Sequence, residues 1–180
     1  MDTAYDFKRL GEYTVLLTWS YSWIEIDTFL IKGLESEDYQ PNDMLGSLLA
    51  HRIYQFSFMT PRVLDKSSGV HGPFLINRLK SSDFTPIADK QFRARIDDIF
   101  IESGYNWSPE DVVEHNLIRD EAYWLLDSLP KNGMDYFELS INYKDTKYHH
   151  DASPVIDMFY EFILVNRVKK ELFICTIITD

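Results

Sequence analysis

Tyr13-Thr14-Val15-Leu16-Leu17-Thr18-Trp19-Ser20-Tyr21-Ser22-Trp23 is the stretch on which the fold turns. Its odd positions (Tyr13, Val15, Leu17, Trp19, Tyr21 and Trp23) are all apolar or aromatic, and the even ones are Thr, Leu, Thr, Ser and Ser. Strand side chains alternate between two faces, so the pattern predicts one long strand with one buried face, running on through Ile24-Glu25-Ile26. A helix over the same residues would spread aromatics around its whole surface. Asp27 to Leu34 favours neither period.

The C-terminal third repeats the strand signal. Phe137, Leu139, Ile141 and Tyr143 alternate with Glu138, Ser140 and Asn142, so Met134 to Tyr143 reads as a strand. Ile156 to Val165 is an apolar run broken only by Asp157 and Glu161, and Asn166 to Lys170 reads as a hairpin connection. Glu171 to Thr179 is too apolar for an exposed strand and is expected near the middle of a sheet, or covered on both faces.

Between these ends the period becomes helical. Leu45, Leu48, Leu49, Ile53 and Phe56 form one apolar stripe behind a cap at Asn42 or Asp43, with Pro61 as the stop. Asp65 to Gly72 reads as the least ordered segment, and Phe74 to Leu79 as a short strand or a helical turn. Phe92, Ile96, Ile99 and Phe100 place a helix over Ile87 to Ser103, closed by Gly104. Trp107-Ser108-Pro109-Glu110-Asp111-Val112 announces the next. Ser108 is the N-cap, Pro109 sits at N1, and Trp107 and Val112 are spaced for a hydrophobic staple. That helix runs to about Leu129, before Pro130. The expected architecture is a single α+β domain: an antiparallel sheet of the N-terminal strand and a C-terminal three-strand meander, with two or three helices packed on it.

Composition limits the function. The chain has 180 residues, net charge −11 and a pI near 4.8. From Asp97 to Glu161 there are 15 carboxylates against 4 cations, so this stretch carries the whole excess; Arg62 to Arg95 is locally basic, with 7 cations and 3 carboxylates. A field of this sign repels nucleic acid and anionic membrane and attracts basic proteins. The basic residues Arg62, Lys66, Arg78, Lys80, Lys90, Arg93 and Arg95 are too sparse for a nucleic-acid arm and are expected to pair with the acidic half. Cys175 is the single cysteine, which excludes an intramolecular disulfide and a multi-cysteine zinc site, and its apolar strand marks it as an inert core residue. The N-terminal residues lack the pattern of a signal peptide, and no apolar run is long enough to span a membrane, so cytoplasmic residence is expected.

Phosphate-binding loops, the nucleophile elbow, H-E-x-x-H and C-x-x-C are all missing from the sequence. The one histidine cluster is Tyr148-His149-His150-Asp151. Adjacent histidines on an extended segment face opposite ways, so this reads as a polar loop rather than a metal site. An acid–base site there would need His150 and Asp151 to meet His71 or His115. No catalytic residue, cofactor or metal is therefore expected.

What remains is an acidic, aromatic-bearing surface that can steer and anchor a cationic partner. The residues expected to meet that partner are Asp97, Asp98, Glu102, Glu110, Asp111, Glu114, Asp120, Glu121 and Trp124. Trp107, Tyr123 and Tyr136 add aromatic surface to the same stretch. The profile resembles that of bacterial immunity proteins, which neutralise nuclease toxins and tend to be cytoplasmic, single-domain, acidic and free of catalytic motifs. That resemblance is one of composition and carries no residues across. It implies a binding or antagonist protein directed at a basic partner, a toxin domain. The alternatives are an enzyme using a His/Asp/Glu pocket and an adaptor subunit of an assembly.

Overall fold

The structure is a computed structural model and describes residues 5–17, 22–34, 39–55, 69–103, 109–142, 145–149 and 158–179. The opening stretch is a hairpin rather than one strand. β1 (Asp6–Leu17) and β2 (Ser22–Lys32) pair antiparallel with Leu17 opposite Ser22, so the expected single strand over 13–26 is interrupted. The ambiguous 27–32 region is the second half of β2.

α1 (Pro41–Ala50) begins two or three residues earlier than expected, with Pro41 at its first turn and Asn42 and Asp43 inside the helix rather than capping it. A short 3-10 turn over Arg52–Tyr54 follows. The continuation to Phe56 and Pro61 lies outside the described residues. β3 (Val70–His71) and β4 (Phe74–Leu75) form a small hairpin, followed by a 3-10 turn at Ile76–Arg78. His71 and Gly72, expected in the least ordered segment, are instead buried. β5 (Phe84–Ile87) was not foreseen and takes Ile87 away from the following helix.

α2 (Asp89–Ser103) and α3 (Pro109–Ser128) stand as expected, while Gly104, Trp107 and Ser108 lie outside the described residues. β6 (Met134–Leu139), β7 (Met158–Asn166) and β8 (Glu171–Thr179) make the C-terminal meander. β6 stops at Leu139, earlier than the alternation suggested.

The main sheet runs β1-β2-β8-β7-β6-β5, antiparallel throughout. β8 sits in its interior between β2 and β7, which explains its continuous apolarity: both of its faces are covered. Alternation along each strand feeds two cores. Phe159, Ile163, Val165, Leu172, Ile174, Phe29 and Ile31 face α1, Tyr54 and Phe74. Phe162, Leu164, Phe173, Cys175, Ile177, Ile24 and Ile26 face α2 and α3, which bring Phe92, Ile96, Ile99, Phe100, Ala122, Leu125 and Leu126. The fold is therefore α+β, a sheet with a helical layer on each side.

Candidate functional site: the outer face of the helical hairpin

α2 and α3 run antiparallel. Arg93 reaches Asp127 at 3.0 Å near one end, the Tyr123 hydroxyl donates to Asp97, and the rings of Phe100 and Tyr123 lie 5.6 Å apart further along. Burial and the Asp97 bond together push the Tyr123 phenol above its usual range, so it stays a donor.

α3 buries Ala122, Leu125 and Leu126 in the core. On its opposite side Val113, Leu117 and Trp124 are 64%, 66% and 71% exposed. At about 100° per residue these three positions fall within about 40° of one another, a stripe roughly 16 Å long. Ile101 on α2 is 74% exposed. Single exposed apolar residues are ordinary, but three in line on one helix are not.

The predicted contact residues divide. Asp97 and Asp98 are exposed on α2, and Asp120, Glu121 and Trp124 are exposed on α3. Asp98 meets Arg95 only at 3.9 Å, and Asp120 meets Arg119 at 3.9 Å, so both carboxylates stay open to a partner. Glu102, Glu110, Asp111 and Glu114 fall on the two helices, but their side chains lie outside the described residues. Tyr136 is corrected: at 8% exposure, with its ring 5.2 Å from Phe92, it belongs to the core rather than to the exposed acidic surface.

The expected internal pairing of the basic segment is seen at two of its seven residues, while Arg62 and Lys66 lie outside the described residues. Arg93 pairs with Asp127, and Arg95 with Glu138 at 3.0 Å.

The opposite face of the sheet holds groups that sequence reasoning missed. Tyr54 Oη donates to Glu161 Oε1 at 2.6 Å. The other oxygen of Glu161 meets His71 Nε2. His71 Nδ1 lies 2.7 Å from the Tyr54 carbonyl oxygen, and a carbonyl only accepts, so Nδ1 carries a hydrogen. The Tyr54 and His71 rings stack at 3.7 Å, 8° from parallel. Burial, then the carboxylate of Glu161, raises the Tyr54 phenol well above its ordinary range.

Gly72 makes this packing possible. Its φ is +50°, and an added Cβ would stand 2.3 Å from the Phe159 ring. The trio is sealed, with His71 2%, Glu161 1% and Tyr54 0% exposed, so it pins the β3–β4 hairpin to the sheet rather than meeting a solute.

His149 comes beside Phe74, bridging that strand. The expected companions His150 and Asp151 lie outside the described residues, as does the side chain of His115, while both nitrogens of His71 are engaged by Tyr54 and Glu161. Cys175 is fully buried, and burial, followed by the nearby charge of Glu161, pushes its thiol up to about 12.

Among the described residues no group of three or more His, Cys, Asp or Glu side chains is placed to hold a metal ion, and no helix is long and apolar enough to cross a membrane. An open cleft of about 700 Å³ lies where β5, β6 and the start of α2 meet, lined by Tyr39, Ile87, Asp89, Met134, Tyr136 and Arg167 among others. Its basic side chains are already paired, Arg167 with Asp135 at 3.0 Å and Lys131 with Asp127 at 3.1 Å. Comparison with protein-family models, with curated proteins and with solved structures finds no match.

Proposed function

We propose that this protein is a binding module that captures and blocks a basic protein partner, a toxin nuclease domain, through the outer face of the α2–α3 hairpin. The observation that carries this reading is the stripe of Val113, Leu117 and Trp124, exposed on one side of α3. The stripe supplies apolar anchors, of which a rigid indole is the most effective kind. Asp97, Asp98, Asp120 and Glu121 on the same hairpin supply the negative field that draws a cationic surface in. Charge governs encounter and the aromatic governs residence.

The test is capture from a lysate of the source organism, followed by kinetics on the recovered partner. Wild-type protein is expected to retain a basic protein at low salt. Reversing Asp97, Asp98, Asp120 and Glu121 to Lys should slow association and flatten its salt dependence. Trp124→Ala should instead speed dissociation, by about thirtyfold for an anchor worth about 2 kcal/mol. A charge-reversed protein that recovers the same partner with unchanged kinetics across salt concentrations sinks the proposal.

A further inference from the structure

The strand register lays a polar row across the sheet face that looks toward α1. Glu12 on β1 stands opposite Asp27 on β2, and Thr14 opposite Glu25. Glu25 stands opposite Thr176 on β8, and Thr176 opposite Glu161 on β7. Directly paired residues share a face, so the row crosses four strands of a face that is otherwise built from Phe29, Ile31, Ile174 and Ile178. Arg9 binds the β1–β2 end of it, through Nε to Asp27 at 3.0 Å and through a terminal nitrogen to Glu12 at 2.5 Å.

Glu25 is only 7% exposed and shares its strand face with Asp27, while Arg9 directs its bonds to Asp27 and Glu12. An ionised carboxylate has no hydrogen to donate. Glu25 can therefore bond to Asp27, its neighbour on that buried face, only while one of the two holds a proton.

We infer that the Glu25–Asp27 pair is a proton-controlled latch on the β1–β2 edge of the sheet. With the proton in place, the two side chains bridge and the edge is closed. When the proton leaves, Glu25, Asp27 and Glu12 become three like charges sharing Arg9, one of them buried, and β1 is pushed from its neighbour. β1 is the outermost strand and α3 packs against it, so the displacement reaches the helix that carries Trp124. That last link to recognition rests on the function proposed above; the latch itself does not.

The groups facing Glu25 set the direction. Asp27 on its own strand and Glu12 on β1 oppose its ionisation, Arg9 favours it, Thr176 on β8 is uncharged, and Glu161 beyond it on β7 is held by Tyr54 and His71. Burial is the largest influence and Asp27 the next; together they lift Glu25 from 4.5 to about 8. A carboxyl group raised in the folded edge and ordinary in the opened one keeps the edge closed at low pH. That contribution drains away between 4.5 and about 8.

Hydrogen exchange read by mass spectrometry from pH 5 to 8 tests this on the free protein. After correction for intrinsic exchange chemistry, protection of β1 and β2 peptides should fall on the order of a hundredfold over that range. β6 and β7 peptides should hold steady. Glu25→Gln keeps a donor for Asp27 without a titrating proton, and its edge should show no such fall. Carboxyl carbon NMR of the wild type reads the proton directly and does not depend on the variant folding. Glu25 should titrate far above ordinary glutamates. An ordinary Glu25 titration, or the same pH dependence of β1 protection in wild type and Glu25→Gln, overturns the latch, and neither outcome bears on whether α3 binds a partner.

Discussion

Glu161 interrupts a strand that is buried on both faces, and a charge in that position must find partners or be neutralised. It finds Tyr54 and His71, which lie 107 and 90 residues away along the chain. The interruption was visible in the sequence as one carboxylate inside an apolar run. Its partners were not, because separations of that size carry no periodic trace. His71 was further disguised by Gly69 and Gly72, whose positive φ values of 56° and 50° serve a tight buried hairpin rather than a loose loop. Removing one member leaves the others buried and unsatisfied. Glu161→Ala and His71→Ala should each cost about 3 kcal/mol in urea unfolding, and Tyr54→Phe about 1.5 kcal/mol, the loss of a hydrogen bond to a charged acceptor. The double variant lacking both Glu161 and His71 should cost clearly less than the two single losses combined. Additive losses would show that the two side chains act separately and that no bridge exists.

The elements were legible where one period ran unbroken, as in α2, α3 and β8. The hairpin β1–β2 was read as one strand because aromatics fill the odd positions across it. The turn had nonetheless left a mark. On β1 the odd Val15 enters the core beneath α2 and α3, whereas on β2 the even Ile24 and Ile26 do. That change of parity follows from a register in which Leu17 meets Ser22 and Val15 meets Ile24, so that odd residues there face even ones. β5 escaped notice because it is four residues long and contains Pro86. Its proline has a physical purpose. Ser140 N–H bonds to the Asp83 carbonyl at 2.9 Å, which puts Thr85 and Ile87 in the same inward-bonding phase and turns the backbone of Phe84 and Pro86 toward the free edge. A proline there offers no donor to a second sheet. Pro86→Thr should restore that donor, leave thermal stability nearly unchanged, and raise the scattering mass above that of the wild type at equal concentration. Identical size distributions would mean that the edge is guarded by something other than the proline.

At the scale of the molecule, the charge surplus spreads differently in space than along the chain. Part of the acidic stretch is spent internally: Asp127 on Arg93, Glu138 on Arg95, Asp135 on Arg167, and Glu161 in the core. Asp97, Asp98, Asp120 and Glu121 remain facing outward, so the count in the sequence exaggerated the negative charge that α2 and α3 show to solvent. The two cores raise a further question, because each could melt alone. They are two faces of the same strands. β7 gives Phe159, Ile163 and Val165 to one side and Phe162 and Leu164 to the other, and β2 and β8 divide in the same way. Stripping the helices from one face exposes the back of strands that the other core needs in place, and that cost couples the two layers. Unfolding should therefore be a single cooperative transition. Cys175 reports on the α2–α3 side, since its buried thiol can react only when that core opens, and far-UV circular dichroism reports on the whole backbone. Their urea midpoints should coincide. If Cys175 becomes reactive at a lower urea concentration than the loss of circular dichroism, the helical hairpin opens first and the layers are independent.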